Sequence, residues 1–181
     1  MLSLAVSLFL LQATLAYGDV IEVNNGGKWG EWGPMATCPP GTAARAFSLK
    51  VEEPQGWGDD TALNGIELYC GVPRSYDIKG SVSSSSGEWG TWNDKQWCPF
   101  EYLTAFSLRV EPQVTDNTAA NNIQFRCSSR AELMGNGANW GSFGSWSGTC
   151  LKGICGIRTK VERRQGAGDD TALNDVQFLC C

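Results

Sequence analysis

Apolar and polar residues alternate along three stretches of this chain with the period of a β-strand. In 46–52, Phe47, Leu49 and Val51 share one face, while Ser48, Lys50 and Glu52 share the other. The same pattern returns at 105–111, where Phe106, Leu108 and Val110 alternate with Ser107, Arg109 and Glu111, and at 156–162, where Ile157 and Val161 face inward. A period of two over seven residues predicts a half-buried strand with one wet face. Each stretch is followed by a second alternating segment that ends on an inward cysteine: Ile66, Leu68 and Cys70; Ile123, Phe125 and Cys127; Val176, Phe178 and Cys180. Shorter leading strands are expected at Val20-Ile21-Glu22-Val23, at Ile78-Lys79-Gly80-Ser81-Val82 and at Glu132-Leu133-Met134.

The connections repeat as well. Asp59-Asp60-Thr61-Ala62-Leu63-Asn64 recurs as Asp116-Asn117-Thr118-Ala119-Ala120-Asn121 and as Asp169-Asp170-Thr171-Ala172-Leu173-Asn174. Upstream of each lies an aromatic-glycine signature and a further cysteine: Trp29-Gly30-Glu31-Trp32 with Cys38, Trp89-Gly90-Thr91-Trp92 with Cys98, and Phe143-Gly144-Ser145-Trp146 with Cys150. Three copies, about 19–75, 76–130 and 131–181, therefore make one all-β domain over 19–181. About four strands per copy are expected, as three antiparallel sheets around a shared apolar centre, because one such sheet cannot bury its inner face alone. Trp32, Trp92 and Trp146 are expected to lie flat in that centre between bare glycines, whereas Trp57 and Trp97 fall outside the repeat and are expected at the surface.

Residues 1–16 carry no charged side chain and include Leu8-Phe9-Leu10-Leu11. The stretch is too short and too interrupted by polar residues to span a bilayer, so it reads as a secretory signal peptide cleaved after Ala16 or Gly18. The expected protein is secreted and extracellular, with no membrane insertion. All eight cysteines lie beyond that segment, and there is no histidine and no Cys-x2-Cys pair. Disulfides are therefore expected in place of a metal site. Cys38–Cys70 and Cys98–Cys127 are the expected pairs, and Cys150, Cys155, Cys180 and Cys181 should supply two more in an arrangement left open. A net charge of -5 without long like-charge runs argues against nucleic acid as a partner.

The Asp-rich connection has a structural explanation, since short carboxylate and amide side chains bond nearby backbone in tight turns. A calcium site is less favoured: the glycine and terminal glutamate of a calcium loop are missing, and Asn117 replaces a carboxylate. Glu52, Glu111 and Glu162, with Asp60 and Asp170, are the carboxylates available for a catalytic pair, but their repetition sits badly with the asymmetry such a pair requires. Without histidine, Ser-His and Cys-His catalysis is excluded. No catalytic residue is assigned, and neither cofactor nor metal is expected.

Gly26-Gly27-Lys28-Trp29-Gly30-Glu31-Trp32, Phe47-Ser48-Leu49-Lys50-Val51-Glu52, Gly58-Asp59-Asp60-Thr61-Ala62-Leu63-Asn64-Gly65 and Asp116-Asn117-Thr118-Ala119-Ala120-Asn121-Asn122 closely resemble the vitelline membrane outer layer protein I family. The resemblance covers the chain from about Val20 to Cys181. It implies the β-prism I fold: three four-stranded Greek-key sheets with pseudo-threefold symmetry. It also implies a structural component of a secreted layer, such as the outer vitelline membrane of the egg, or of an epithelial secretion. Egg-coat or extracellular-matrix proteins would then be partners. The alternative it carries is lectin-like binding, or transfer, of N-acetylglucosamine oligomers. Sugar sites combine a flat ring with carboxylates or amides, which makes Trp57, Asp59, Asp60 and Asn64 the first expected carbohydrate contacts, with Trp97 as a further candidate. Those four stand together in a glycine-flanked connection with little core for the indole to join.

Overall fold

The computed structural model describes residues 18–53, 62–112, 119–163 and 172–181. Its strands are β1 (Val20–Ile21), β2 (Glu31–Trp32), β3 (Ala36–Thr37), β4 (Ala43–Val51), β5 (Leu63–Gly71), β6 (Gly80–Ser83) and β7 (Thr91–Trp92). They continue with β8 (Gln96–Trp97), β9 (Leu103–Val110), β10 (Ala120–Cys127), β11 (Glu132–Met134), β12 (Ser142–Phe143), β13 (Ile154–Val161) and β14 (Leu173–Cys180). The first sheet has the order β6-β5-β4-β7, with β8 continuing the edge beside β4. The second runs β11-β10-β9-β12, and the third β1-β14-β13-β2, with β3 continuing the edge beside β13. Every pairing is antiparallel. In the first two sheets a long hairpin gains a third strand by a turn and a fourth that returns to the far side, which is the Greek-key order, and in the third sheet the N-terminal strands β1 and β2 take those two places. Together they form the expected β-prism.

Each sheet is assembled across a repeat boundary. The long hairpin β4–β5 belongs to the first copy, but its flanking strands β6, β7 and β8 come from the second. Likewise β9–β10 is flanked from the third copy, and β13–β14 from the first, through β1, β2 and β3. The ring closes where Val20 pairs with Leu179 and Ile21 with Phe178.

The core lies where the three inner faces meet. Phe47, Leu49, Phe106, Leu108 and Ile157 are fully buried, as are Ile66, Leu68, Ile123, Phe125, Val176 and Phe178. Directly opposed pairs Phe47–Leu68, Phe106–Phe125 and Ile157–Phe178 supply one inner row from each sheet. Phe125 is central, its ring 4.6 Å from Phe47 and 5.3 Å from Phe178 between centroids. Each such contact adds about 1 kcal/mol beyond the area buried. Val51 and Val110, expected inside, are half-buried at the strand ends.

Three expectations are corrected. Trp32 and Trp92 are 36% and 43% exposed and Trp146 is half-buried, so none of these indoles fills the core. The phenylalanines and branched aliphatics of the long hairpins already fill it. The third aromatic-glycine copy is also out of phase. Ser142 and Phe143 pair with Val110 and Arg109 as Thr91 and Trp92 pair with Val51 and Lys50, so the equivalent segment is Trp140-Gly141-Ser142-Phe143. Finally, three disulfides form: Cys38–Cys70, Cys98–Cys127 and the previously open Cys150–Cys180. The expected fourth bridge is not formed; Cys155 and Cys181 are thiols in hydrogen-bond contact. Their backbones are tied to the sheet, the Cys181 N–H to Gly153 O at 3.0 Å and the Cys155 carbonyl to the Cys38 N–H at 2.8 Å. That contact holds the Cys155 thiol below its ordinary pKa and pushes Cys181 up.

The cysteines mark one end of the prism, and the Asp-rich connections mark the other. At the disulfide end, a bulge between Ala44 and Ala46 isolates Arg45, which is fully buried. Its guanidinium donates to the carbonyls of Glu101 at 2.6 Å, Val72 at 2.8 Å, Ser75 and Cys98, pinning two connections without a carboxylate.

Candidate functional site

At the loop end the same backbone bond ties together the two long strands of each hairpin. Glu52, Glu111 and Glu162 N–H groups donate at 2.9 Å to Ala62, Ala119 and Ala172 carbonyls. Trp57, Asp59 and Asp60 lie outside the described residues, as do Asp116, Asn117, Asp169 and Asp170. Asn64 is described and has no exposed surface; its amide reaches back to the Ala62 carbonyl at 3.4 Å. Asn121 repeats the bond to Ala119 at 3.1 Å, and Asn174 is buried in the same way. These amides brace the base of each connection from inside. Trp97 is elsewhere: it pairs with Ala46, opposite Tyr69, and is half-buried with its ring 5.3 Å from Tyr76. Five residues of β5, roughly 17 Å, separate that row from Asn64. Of the five sequence-based candidates only Asn64 and Trp97 fall among the described residues, and these two stand apart.

A different set of tryptophans stands at the loop end, one beside each long hairpin. Trp29, Trp89 and Trp140 are 55%, 43% and 37% exposed. Each precedes a glycine in the left-handed region, with φ +82° at Gly30 and Gly90 and +71° at Gly141. A β-carbon there would fall 2.2–2.5 Å from the backbone of Val161, Val51 or Val110 respectively. The turn therefore rests on the end of the neighbouring long strand, beside Glu162, Glu52 or Glu111, and only glycine permits that approach. A cation from the same strand holds the turn's other side. Lys160 donates to Lys28 O at 2.5 Å, Lys50 to Gly87 O at 2.9 Å and Glu88 O at 3.0 Å, and Arg109 to Asn139 Oδ1 at 3.1 Å. The sequence signal for these rings is the Trp-Gly step itself, once its third copy is read in the phase the pairing uses.

Between the second and third sheets the loop end opens into a cavity of about 270 Å³, lined by Asn25, Lys28, Glu111 and Asn174 among others. Asn25 crosses the corner to donate to Leu108 O at 2.9 Å. Behind it, the Asp175 carboxyl packs against Gly26. Burial pushes that carboxyl up to about 6, with Glu22 reinforcing the shift, while the Val176 N–H and Lys160 oppose it.

Residues 19–181 match the family model described as Vitelline membrane outer layer protein I (VOMI). The chain belongs to the vitelline membrane outer layer protein I family. A human vitelline membrane outer layer protein 1 homolog is 54% identical over 169 residues, covering 91% of this chain and 84% of the relative. The mouse homolog is 51% identical over the same lengths. Among solved structures, Calystegia sepium agglutinin matches with a TM-score of 0.56 at 12% identity, covering 91% of this chain and 97% of that one. A mannose-binding lectin from Champedak matches at 0.54 and 13%, covering 93% and 99%. At that identity the likeness establishes a shared fold.

In this member of the vitelline membrane outer layer protein I family, the loop end combines half-exposed indoles with carboxylates, amides and basic side chains. Flat rings stack on the C–H faces of polyhydroxylated rings, and the polar groups exchange hydrogen bonds with hydroxyls. Histidine is absent from the chain, and six cysteines are committed to disulfides.

Proposed function

We propose that this chain is a secreted extracellular protein that binds carbohydrate at the loop end of its prism. The observation that carries the reading is the threefold Trp-Gly turn, which holds Trp29, Trp89 and Trp140 at the surface beside Glu162, Glu52 and Glu111. An indole held at the surface offers a flat face on which a sugar ring can stack, and the same backbone device presents one beside each of the three long hairpins. Secretion is supported by the apolar segment at 1–16, by the three disulfides and by the family. A shared fold adds support: the Calsepa lectin structure in complex with bisected glycan and the artocarpin–mannopentose complex are prisms of this kind. N-acetylglucosamine oligomers are the proposed ligands, with Trp57, Asp59 and Asp60 as further contacts from the connecting segments. Sugar binding of this kind would anchor the protein among glycan-bearing partners of an extracellular coat.

The test is titration with N-acetylglucosamine oligomers of increasing length, read by tryptophan fluorescence. Trp29→Ala, Trp140→Ala and Trp57→Ala should each weaken length-dependent binding by about five- to tenfold, roughly 1 kcal/mol. A response unchanged in all three variants would sink the loop-end reading. Conversion of the probe into longer oligomers would be the mark of a transferase.

A further inference from the structure

The outer faces of the three sheets carry pseudo-equivalent rings, Trp32, Trp92 and Phe143, paired with Lys160, Lys50 and Arg109. Two of them are capped. The Arg158 guanidinium lies 5.0 Å from the Trp32 centroid, and that of Arg109 lies 5.1 Å from Phe143. Among the described residues no cation lies over Trp92. Ser48 occupies the strand position that Arg158 holds in the third sheet, and Lys50 the position of Arg109. Beneath Trp92 the first copy has Gly65, where the others have Asn122 and Asp175. A β-carbon on Gly65 would come within 3.2 Å of the indole Cη2, so the ring rests over bare backbone while 43% exposed.

Polar groups continue the surface along β4 and β5. The Tyr69 hydroxyl donates to Glu67 Oε2 at 2.5 Å and lies 3.1 Å from Ser48 Oγ. Burial, and then the bond to Glu67, raise the Tyr69 phenol above its ordinary value, keeping it a donor. Lys95 Nζ stands 4.6 Å from the Tyr69 ring centroid. Trp97 pairs with Ala46 in the same row as Tyr69, four residues along β4 from the Lys50–Trp92 row, or about 13 Å.

We infer that this stripe on the outer face of the first sheet, from Trp92 past Glu67 and Tyr69 to Trp97, is a second binding platform for a neutral oligosaccharide. Trp92 and Trp97 take sugar faces, Glu67 and Tyr69 exchange hydrogen bonds with hydroxyls, and the fully buried Ser48 positions the Tyr69 hydroxyl. The length calls for several pyranose rings instead of one. An added peptide strand would bind along a sheet edge through backbone, whereas these groups project from the face. The mixed charges, Glu67 against Lys50 and Lys95, favour an uncharged ligand. The inference rests on the loop-end reading for its ligand class alone.

The full secreted chain is titrated with the tetramers of N-acetylglucosamine and of β-1,4-linked glucose by calorimetry, alongside Trp92→Ala, Lys50→Arg and Trp140→Ala. Lys50→Arg installs over Trp92 the guanidinium that Arg109 places over Phe143, and, as Arg109 does at its own turn, still supplies N–H donors for the Gly87 and Glu88 carbonyls that Lys50 holds. Both Trp92→Ala and Lys50→Arg should weaken one binding event about tenfold, with Trp140→Ala sparing it. Affinity unchanged in both first-sheet variants overturns the inference. If only Trp140→Ala reduces binding, the loop-end site stands and this one falls; loss confined to the first-sheet variants gives the reverse. Failure of both tetramers to bind into the millimolar range overturns it together with the loop-end reading.

Discussion

Burial lifts the Asp175 carboxyl up to about 6, and the pseudo-symmetry shows how unusual that position is. The second copy puts Asn122 there, which donates to Gly135 O and accepts from the Ile123 N–H, both at 2.8 Å. Asp175 reproduces the accepting half, taking the Val176 N–H at 2.8 Å. Its charged form is desolvated against Gly26, with Lys160 favouring the charge and Glu22 opposing it. A carboxyl whose folded-state pKa is raised binds its proton more tightly when folded. Stability is therefore greatest below the unfolded value near 4 and falls as the pH rises through about 6. Asp175→Asn should add about 2 kcal/mol at neutral pH and flatten the change between pH 4 and 6. Urea midpoints across that range check it; parallel curves for the two proteins would show that Asp175 does not carry the effect. Nothing in the sequence marked this aspartate, because its motif neighbours are equally acidic and only the packing against Gly26 sets it apart.

At the scale of elements, the Trp-Gly turn separates two kinds of glycine that composition alone merges. Gly41 and Gly90 both adopt left-handed φ, +78° and +82°. A β-carbon on Gly41 would meet open space, whereas one on Gly90 would sit 2.4 Å from the Val51 carbonyl carbon and oxygen. Gly41→Ala should therefore cost about 1 kcal/mol, the strain of a left-handed alanine. Gly90→Ala should cost about 3 kcal/mol or more, because the turn must also leave the strand. Thermal midpoints of the two variants decide between them, and equal losses would mean that strand contact contributes little. The long strands were legible because period-two alternation follows directly from which face is buried. The tryptophans were not: glycine neighbours resemble the clearance a buried ring needs, yet these glycines serve backbone contact and leave the rings outside. Phe143-Gly144-Ser145-Trp146 imitates the motif three residues downstream of the true third turn, and only the pairing of Ser142 with Val110 settles the phase. Of the expected sugar contacts, Asn64 proved an internal brace, and the segment holding Trp57, Asp59 and Asp60 is outside the described residues.

Across the whole molecule, the exchange of flanking strands between copies makes the prism a closed ring of three hairpins. Removing residues 18–37 would strip β1, β2 and β3 from the third sheet and uncover Phe178, which packs against Phe106 at 4.8 Å and Phe125 at 5.3 Å. No copy can satisfy its own edges, so local opening should be coupled to global unfolding. The seam itself is ordinary sheet: Asp19 O accepts from the Cys180 N–H at 2.8 Å, and the ends of the described chain lie side by side. Continuity of the chain elsewhere in the ring should then matter less than pairing. A permutant that joins Cys181 to Asp19 through a short glycine-serine linker and begins at Ser129, in the turn between β10 and β11, keeps every strand pair. It should fold with a single transition within about 2 kcal/mol of the parent, while the chain lacking 18–37 should fail to unfold cooperatively. Circular dichroism and tryptophan fluorescence melts of both proteins provide the check. A molten permutant beside a cooperative truncation would mean that stability resides within the separate copies and not in the closure between them.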